Sequence, residues 1–141
     1  MNREFADTWA RALSTDVDAF VSLYADRFVV ELGSYADSVT DALIDADALR
    51  RVLGRYSNTD PDNGLGIHTF EATTYEGHER HGIIQWRWTG EELETFRGVP
   101  AAGHRLSTVG QTFQQYDTDG KITRETTYWA DMKALKALGA V

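Results

Sequence analysis

The chain has 141 residues, 42% hydrophobic and 11% aromatic, with 2 prolines and no cysteine; this suits one domain, near the usual length of about 150 residues, with apolar material to bury roughly two thirds of its unfolded surface. Disorder and a disulfide-stapled mini-protein are thereby excluded, as are thiolate nucleophiles and cysteine-ligated metal centres. Fourteen Lys and Arg against 22 Asp and Glu give a formal charge of −8, and the basic residues are scattered singly or in pairs such as Arg50-Arg51, so no nucleic-acid partner is expected.

Phe5, Trp9 and Leu13 recur every four residues and predict a first helix over about residues 2–13. The Thr15-Asp16-Val17-Asp18 run has capping-box spacing. Val17, Phe20, Val21 and Tyr24 then mark a second short helix ending near Ala25. Arg27 to Leu32 is β-branched and apolar and stops at Gly33-Ser34, a strand. An aspartate-rich polar connector follows. Asp45 caps a third helix whose apolar face is Leu49, Val52, Leu53 and Tyr56, closing at Ser57-Asn58 before the Asp60-to-Gly64 turn cluster.

Beyond residue 66 the spacing changes to alternation, predicting strands over His68–Tyr75, Ile83–Thr89, Leu106–Tyr116 and Lys121–Trp129. Glu76-Gly77, the Gly98–Gly103 loop and Asp117–Gly120 supply the turns. Met132, Leu135 and Leu138 close the chain with a short amphipathic helix stopped at Gly139. Helices first and strands last, with short breaks, predict an α+β fold: a curved antiparallel sheet wrapped around three N-terminal helices, a cone with a hydrophobic pocket, as one domain over 1–141. The start MNREFADTWARAL lacks a signal-peptide pattern, and no apolar run approaches the roughly 18 residues of a membrane span, so a cytoplasmic protein without a membrane partner is expected.

Several motifs carry a family likeness: Phe96-Arg-Gly-Val-Pro-Ala-Ala-Gly103, Asp119-Gly-Lys-Ile122, Tyr128-Trp-Ala-Asp131, and Asp16 to Asp26 followed by Phe28-Val-Val-Glu31, with Gly77 at a glutamate-glycine turn. Over nearly its whole length the chain resembles the SnoaL-like polyketide cyclases of the nuclear-transport-factor-2-like superfamily, a cone fold that hosts cyclases, isomerases, epoxide hydrolases and proteins without chemistry. The resemblance implies a homodimer, since the convex face of such sheets commonly pairs. It places the cyclases' acid–base aspartate on Thr127, their glutamine and histidine on Gly110 and Thr112, and the ketosteroid isomerases' oxyanion acid on Thr112 as well. The isomerases' proton-shuttling aspartate falls on Leu32, beside Glu31, and the epoxide hydrolases' arginine–aspartate pair is half kept as Arg87 with Thr89.

On the last strand, Glu125, Thr127 and Trp129 share one face and Ile122, Arg124, Thr126 and Tyr128 the other. The resemblance turns the odd set inward, which would make Glu125 a lone carboxylate in an aromatic hollow, its pKa raised for proton transfer; the other reading is a solvated residue paired with an arginine. Trp86 and Trp88 share a face with Ile84, as core or as substrate platform, and Arg87 lies opposite, as a counter-ion or a solvated residue. Glu31 is a second carboxylate candidate.

The expectation is a SnoaL-like, cofactor-free enzyme of proton transfer, cyclising or isomerising a small hydrophobic carbonyl compound. Glu125 is the proton carrier and Tyr24 and Thr127 are hydrogen-bond donors, while Trp9, Trp86, Trp88, Thr112 and Trp129 line the substrate site. A non-catalytic ligand-binding protein of the same fold and an epoxide hydrolase-like enzyme are the alternatives. No metal site is expected: His78 and His81 flank a hairpin turn, His104 sits at the surface or the pocket mouth, and His68 is either a rim donor or a satisfied core imidazole.

Overall fold

The computed structural model describes residues 2–33, 42–58 and 60–141. Helix α1 (Arg3–Thr15) begins where the Asn2 side chain accepts the Phe5 amide, and its stripe buries Ala6, Trp9, Ala10 and Leu13. Asp16 caps α2 (Val17–Val21) by accepting the Ala19 amide at 3.1 Å. This helix is shorter than the apolar spacing predicts. Tyr24, expected to close it, instead opens strand β1 (Tyr24–Gly33), because the Leu23 carbonyl accepts the Ile122 amide and Tyr24 pairs with Ile122. A long-range ladder satisfies these backbone groups and overrides the local helical pattern. The connector after Gly33 lies, over residues 34–41, outside the described residues.

Asp45 caps α3 (Ala46–Leu53) as its side chain accepts the Ala48 amide at 2.8 Å, burying Leu49 and Leu53; a 3₁₀ turn, Gly54–Ser57, follows. Strands β2 (Ile67–Gly77) and β3 (His81–Glu91) form a hairpin. Next come β4 (Thr95–Phe96), β5 (Val99–Pro100), β6 (Leu106–Tyr116), β7 (Ile122–Trp129) and α4 (Asp131–Ala137). The main sheet runs β1-β7-β6-β3-β2. It is antiparallel except at one edge, where β1 lies parallel to β7. The α+β class is as expected, with α1 laid against β2 and the core between helices and sheet.

Alternation on β3 and β6 turns Ile84, Trp86 and Trp88 inward beside Thr108, Thr112 and Gln114. Gly110 faces Trp86 across the ladder, and a Cβ there would lie 2.2 Å from the indole ring, so the missing side chain is what lets the ring lie over β6. One residue departs from simple alternation. Ile122, grouped by parity with the outward Arg124, is fully buried, because register shifts between Gln115 and Tyr116 on β6 and between Tyr24 and Val29 on β1 break the period-two pattern at its position. Part of the predicted Gly98–Gly103 loop is instead the small β4–β5 hairpin, turned at Arg97 (φ 50°) and Gly98 (φ 78°). Two consecutive left-handed residues are the signature of a type I′ turn. No helix among the described residues is long and apolar enough to cross a membrane.

Candidate active site around Glu125

A cavity of about 180 Å³ lies between the helices and the inner face of the sheet. Trp9 and Leu13 of α1, Phe70 of β2, Trp86 of β3 and Trp129 of β7 form its aromatic and apolar wall; Glu125 and Thr127 reach it from β7, Arg55 and Tyr56 from the 3₁₀ turn, and Arg97 from the β4–β5 turn. Its walls are mainly apolar with a few convergent polar groups, the usual make-up of a small-molecule site.

Glu125 is 1% exposed. The Tyr24 hydroxyl donates to its Oε2, and Gln114 Nε2 donates to its Oε1 at 3.4 Å. Behind these donors, Trp9 Nε1 donates to the Tyr24 oxygen at 3.4 Å, and Tyr116 donates to Gln114 Oε1 at 2.8 Å. Since the Tyr116 proton is thus committed, Tyr75, whose oxygen lies 3.2 Å away, donates to Tyr116. Burial pushes the Glu125 carboxyl up to about 7, against the pull of hydrogen bonds from Tyr24, Gln114 and Trp9 toward the charged form. Tyr24 is itself held well above the usual tyrosine range by burial and by the charge of Glu125, so it remains a donor. The result is a carboxyl group that gains or loses a proton near neutrality beside an apolar hollow, the poise that general acid–base catalysis requires.

A second device adjoins it. Trp86 Nε1 donates to Thr112 Oγ1 at 2.9 Å, and Thr112 Oγ1 lies 2.9 Å from Thr127 Oγ1. Thr112 is completely buried and, among the described residues, Thr127 is the acceptor within reach of its proton. That leaves the proton of Thr127, a residue that lines the cavity, uncommitted to Thr112.

The remaining expected residues fall in varied places. Trp9, Trp86, Trp129, Glu125 and Thr127 line the cavity, whereas Tyr24 and Thr112 stand behind its wall, each bonded to a lining residue. Trp88 belongs to an adjoining hollow of about 130 Å³, with His68. There its Nε1 donates to His68 Nδ1 at 3.0 Å, and because an indole only donates, the His68 proton sits on Nε2, which donates to the Leu65 carbonyl at 2.8 Å. Burial lowers the His68 pKa, so this imidazole is neutral and satisfied. Glu31 is not in the cavity: it pairs with Arg124 on the outer face. Arg87, His78, His81 and His104 are exposed. Among the described residues no group of three or more His, Cys, Asp or Glu is arranged to hold a metal ion.

Sequence reasoning did not single out Gln114, Arg55, Tyr56 as a wall residue, or Arg97. Gln114 was open to detection, since it shares the period-two face of Thr112 on β6. Arg97 gave a subtler signal, an arginine before glycine in a turn whose first position demands a left-handed backbone that asparagine or glycine usually supplies.

A curved sheet closed over N-terminal helices is the fold of the nuclear-transport-factor-2-like proteins. The SnoaL-like domain matches residues 2–125, and the chain belongs to that family. Similar solved structures include AclR, a putative hydroxylase from Streptomyces galilaeus, at 16% identity and TM-score 0.72, covering 99% of this chain and 81% of that one. A Catenulispora acidiphila protein with a ketosteroid isomerase-like fold, in complex with trimethylamine, matches at 16% identity and TM-score 0.68, covering 100% and 96%. SalBIII, an epoxide hydrolase/cyclase-like enzyme of pyran ring formation in salinomycin, matches at 14% identity and TM-score 0.66, covering 93% and 91%. At these identities the likeness is one of fold. No curated protein matches the chain by sequence.

Proposed function

We propose that the chain is an enzyme of proton transfer acting on a small, hydrophobic carbonyl compound, in an isomerising or ring-closing reaction that needs no cofactor. Glu125 takes a proton from the carbon next to the carbonyl and returns it elsewhere on the same molecule, while the Thr127 hydroxyl donates to the developing enolate oxygen. Tyr24 and Gln114 orient the carboxylate, and Trp9, Trp86 and Trp129 exclude water. The observation that supports this most is a fully buried carboxyl group, poised at about 7, on the wall of an aromatic cavity. Titrating near the working pH, it serves as acceptor and donor in turn.

The test is proton–deuterium exchange at the α-carbons of 2-tetralone and 1-indanone in heavy water, followed by NMR. Exchange above the buffer rate that falls about 100-fold or more in Glu125→Gln is expected, the scale of a lost general base. Exchange at the buffer rate, or a Glu125→Gln variant as fast as the native chain, overturns the reading. The second reading is a non-catalytic ligand-binding protein. Threonines 112 and 127, at the positions where the resemblance places acid–base groups, favour it, and it predicts ligand binding untouched by Glu125→Gln with no exchange.

A further inference from the structure

Two tyrosines behind Gln114 have no part in the proton-transfer scheme. Tyr116 is 2% exposed, and its hydroxyl serves Gln114 on one side and meets Tyr75 on the other. Tyr75 reaches this place only through an irregularity. Phe70 and Ala72 of β2 face inward, and strict alternation would turn Tyr75 outward with Thr69 and Glu71. A register shift between Ala72 and Thr74 adds one residue to the strand, and Arg3 of α1 clamps it by donating to the Ala72 and Thr73 carbonyls at 2.6 and 2.9 Å. Tyr75 therefore pairs with the inward Ile84, and its oxygen comes within 3.2 Å of that of Tyr116. Gly82 leaves the room for both, since a Cβ there would lie 2.4 Å from the Tyr75 oxygen and 2.5 Å from the Tyr116 oxygen.

The count of protons gives this chain a direction. A charged Glu125 only accepts, so Gln114 turns its Nε2 to Glu125 and its Oε1 to Tyr116; Tyr116 then donates to Gln114, and Tyr75 to Tyr116. Every donor points toward the carboxylate, and bonds in such a chain strengthen one another. A Gln114 amide turned the other way would face Glu125 with its oxygen and suit only the protonated acid. We propose that Tyr116 is a positioning residue: its hydroxyl locks the Gln114 amide with the nitrogen toward Glu125 and, with Tyr75 behind it, holds the carboxyl group in its proton-accepting form. Among the described residues, the ionisable groups packed around Glu125 are Tyr24 of β1, Tyr116 of β6 and Tyr75 of β2, with Arg55 and Arg97 on the wall of the same cavity. Burial holds Tyr116 above the usual tyrosine range, so it stays a donor. The role deepens the proposed function and rests on Glu125 being its proton carrier.

Carbon-13 NMR titration of the glutamate carboxyls in the full chain, with the Glu125 resonance identified by its loss in Glu125→Gln, tests the role without any substrate. Tyr116→Phe keeps the ring and is expected to raise the Glu125 midpoint by about 0.5–1 unit. In a Gln114→Leu background the same substitution should move it by no more than about 0.1 unit, because the effect travels through the amide. Tyr75→Phe, at the half-buried end of the chain, should raise it by about 0.2–0.3 unit and keeps the test decisive if Tyr116→Phe does not fold. A midpoint unmoved or lowered in Tyr116→Phe, or in Tyr75→Phe where only that variant folds, overturns the positioning role. So does a Tyr116→Phe shift of the same size with and without Gln114. Either result leaves the Glu125 scheme to the ketone exchange experiment. The expected shifts in a chain that exchanges no ketone protons uphold the hold of Tyr116 on Gln114 and overturn the catalytic scheme, and a native midpoint at 4.5 overturns both.

Discussion

The Tyr24 hydroxyl donates to Oε2 of Glu125, a bond between residues 101 apart in sequence that joins the first residue of β1 to the middle of β7. It does chemical as well as architectural service, because it favours the charged carboxylate inside a wall that otherwise favours the neutral acid. Replacing Tyr24 by Phe removes that donor while keeping the ring. The Glu125 pKa is then expected to climb above about 7, moving the base limb of the ketone exchange profile upward by about one unit. A limb that stays in place in Tyr24→Phe would show that the tyrosine does not stabilise the carboxylate.

Burial of Glu125 also links folding to pH. Its carboxyl is raised from 4.5 to about 7, so between those values the folded chain holds a proton that the unfolded chain has lost. The contribution to stability is present at low pH and fades as pH rises through about 7, amounting to about 2–3 kcal/mol between pH 5 and pH 8. Glu125→Gln abolishes this dependence. In urea unfolding at the two pH values, the variant should therefore gain about 2–3 kcal/mol on the native chain from the lower pH to the higher. A constant difference would place the carboxyl at its ordinary pKa and remove the physical basis of the proton-carrier role.

The two threonines are expected to separate by readout. Thr127→Val removes the hydroxyl of a cavity-lining residue while keeping the side-chain shape, so exchange should slow about 10- to 100-fold, and the buried Thr112 proton loses its acceptor at a cost of about 1–3 kcal/mol in urea unfolding. Thr112→Val leaves the buried Trp86 N–H without its acceptor, and costs about 1–3 kcal/mol in urea unfolding. If Thr127→Val exchanged ketone protons at the native rate, the donor would have to be sought elsewhere on the cavity wall.

How far these features could be read beforehand varies with the range of the interaction. The α1 stripe, the Asp16 and Asp45 caps and the inward turn of Trp86 and Trp88 follow from local periodicity, and the structure has them. The inward parity of Glu125 came only with the family resemblance, since alternation says that two faces differ and not which one is buried. Tyr24 read as helical because its spacing from Val17 and Phe20 is helical, whereas its strand conformation is imposed by β7 from the far end of the chain. Ile122 was misplaced for a similar reason, because a register shift between strands is a property of the pair. Gln114 needed the knowledge that β6 and β7 are neighbours in one register, which places it opposite Glu125. Arg97 needed the β4–β5 turn, whose strands are too short to leave a periodic signal.

The outer face of the sheet bears on how many chains make up the working molecule. Ile83, Val109, Phe113 and Tyr128 are exposed there, Ile83 pairs with Phe113 across β3 and β6, and the Phe113 and Tyr128 rings lie 6.3 Å apart. An apolar patch of this kind is where an interaction surface is expected. A second copy is the simplest cover, because a two-fold axis sets the same patch against itself. Light scattering is expected to give twice the 15.8 kDa chain mass. Phe113→Lys places a charge in the middle of the patch and should return the mass to that of one chain, with the far-ultraviolet circular dichroism unchanged. A native chain that scatters as a single copy at micromolar concentration, or a dimer indifferent to Phe113→Lys, would rule this face out as the pairing surface.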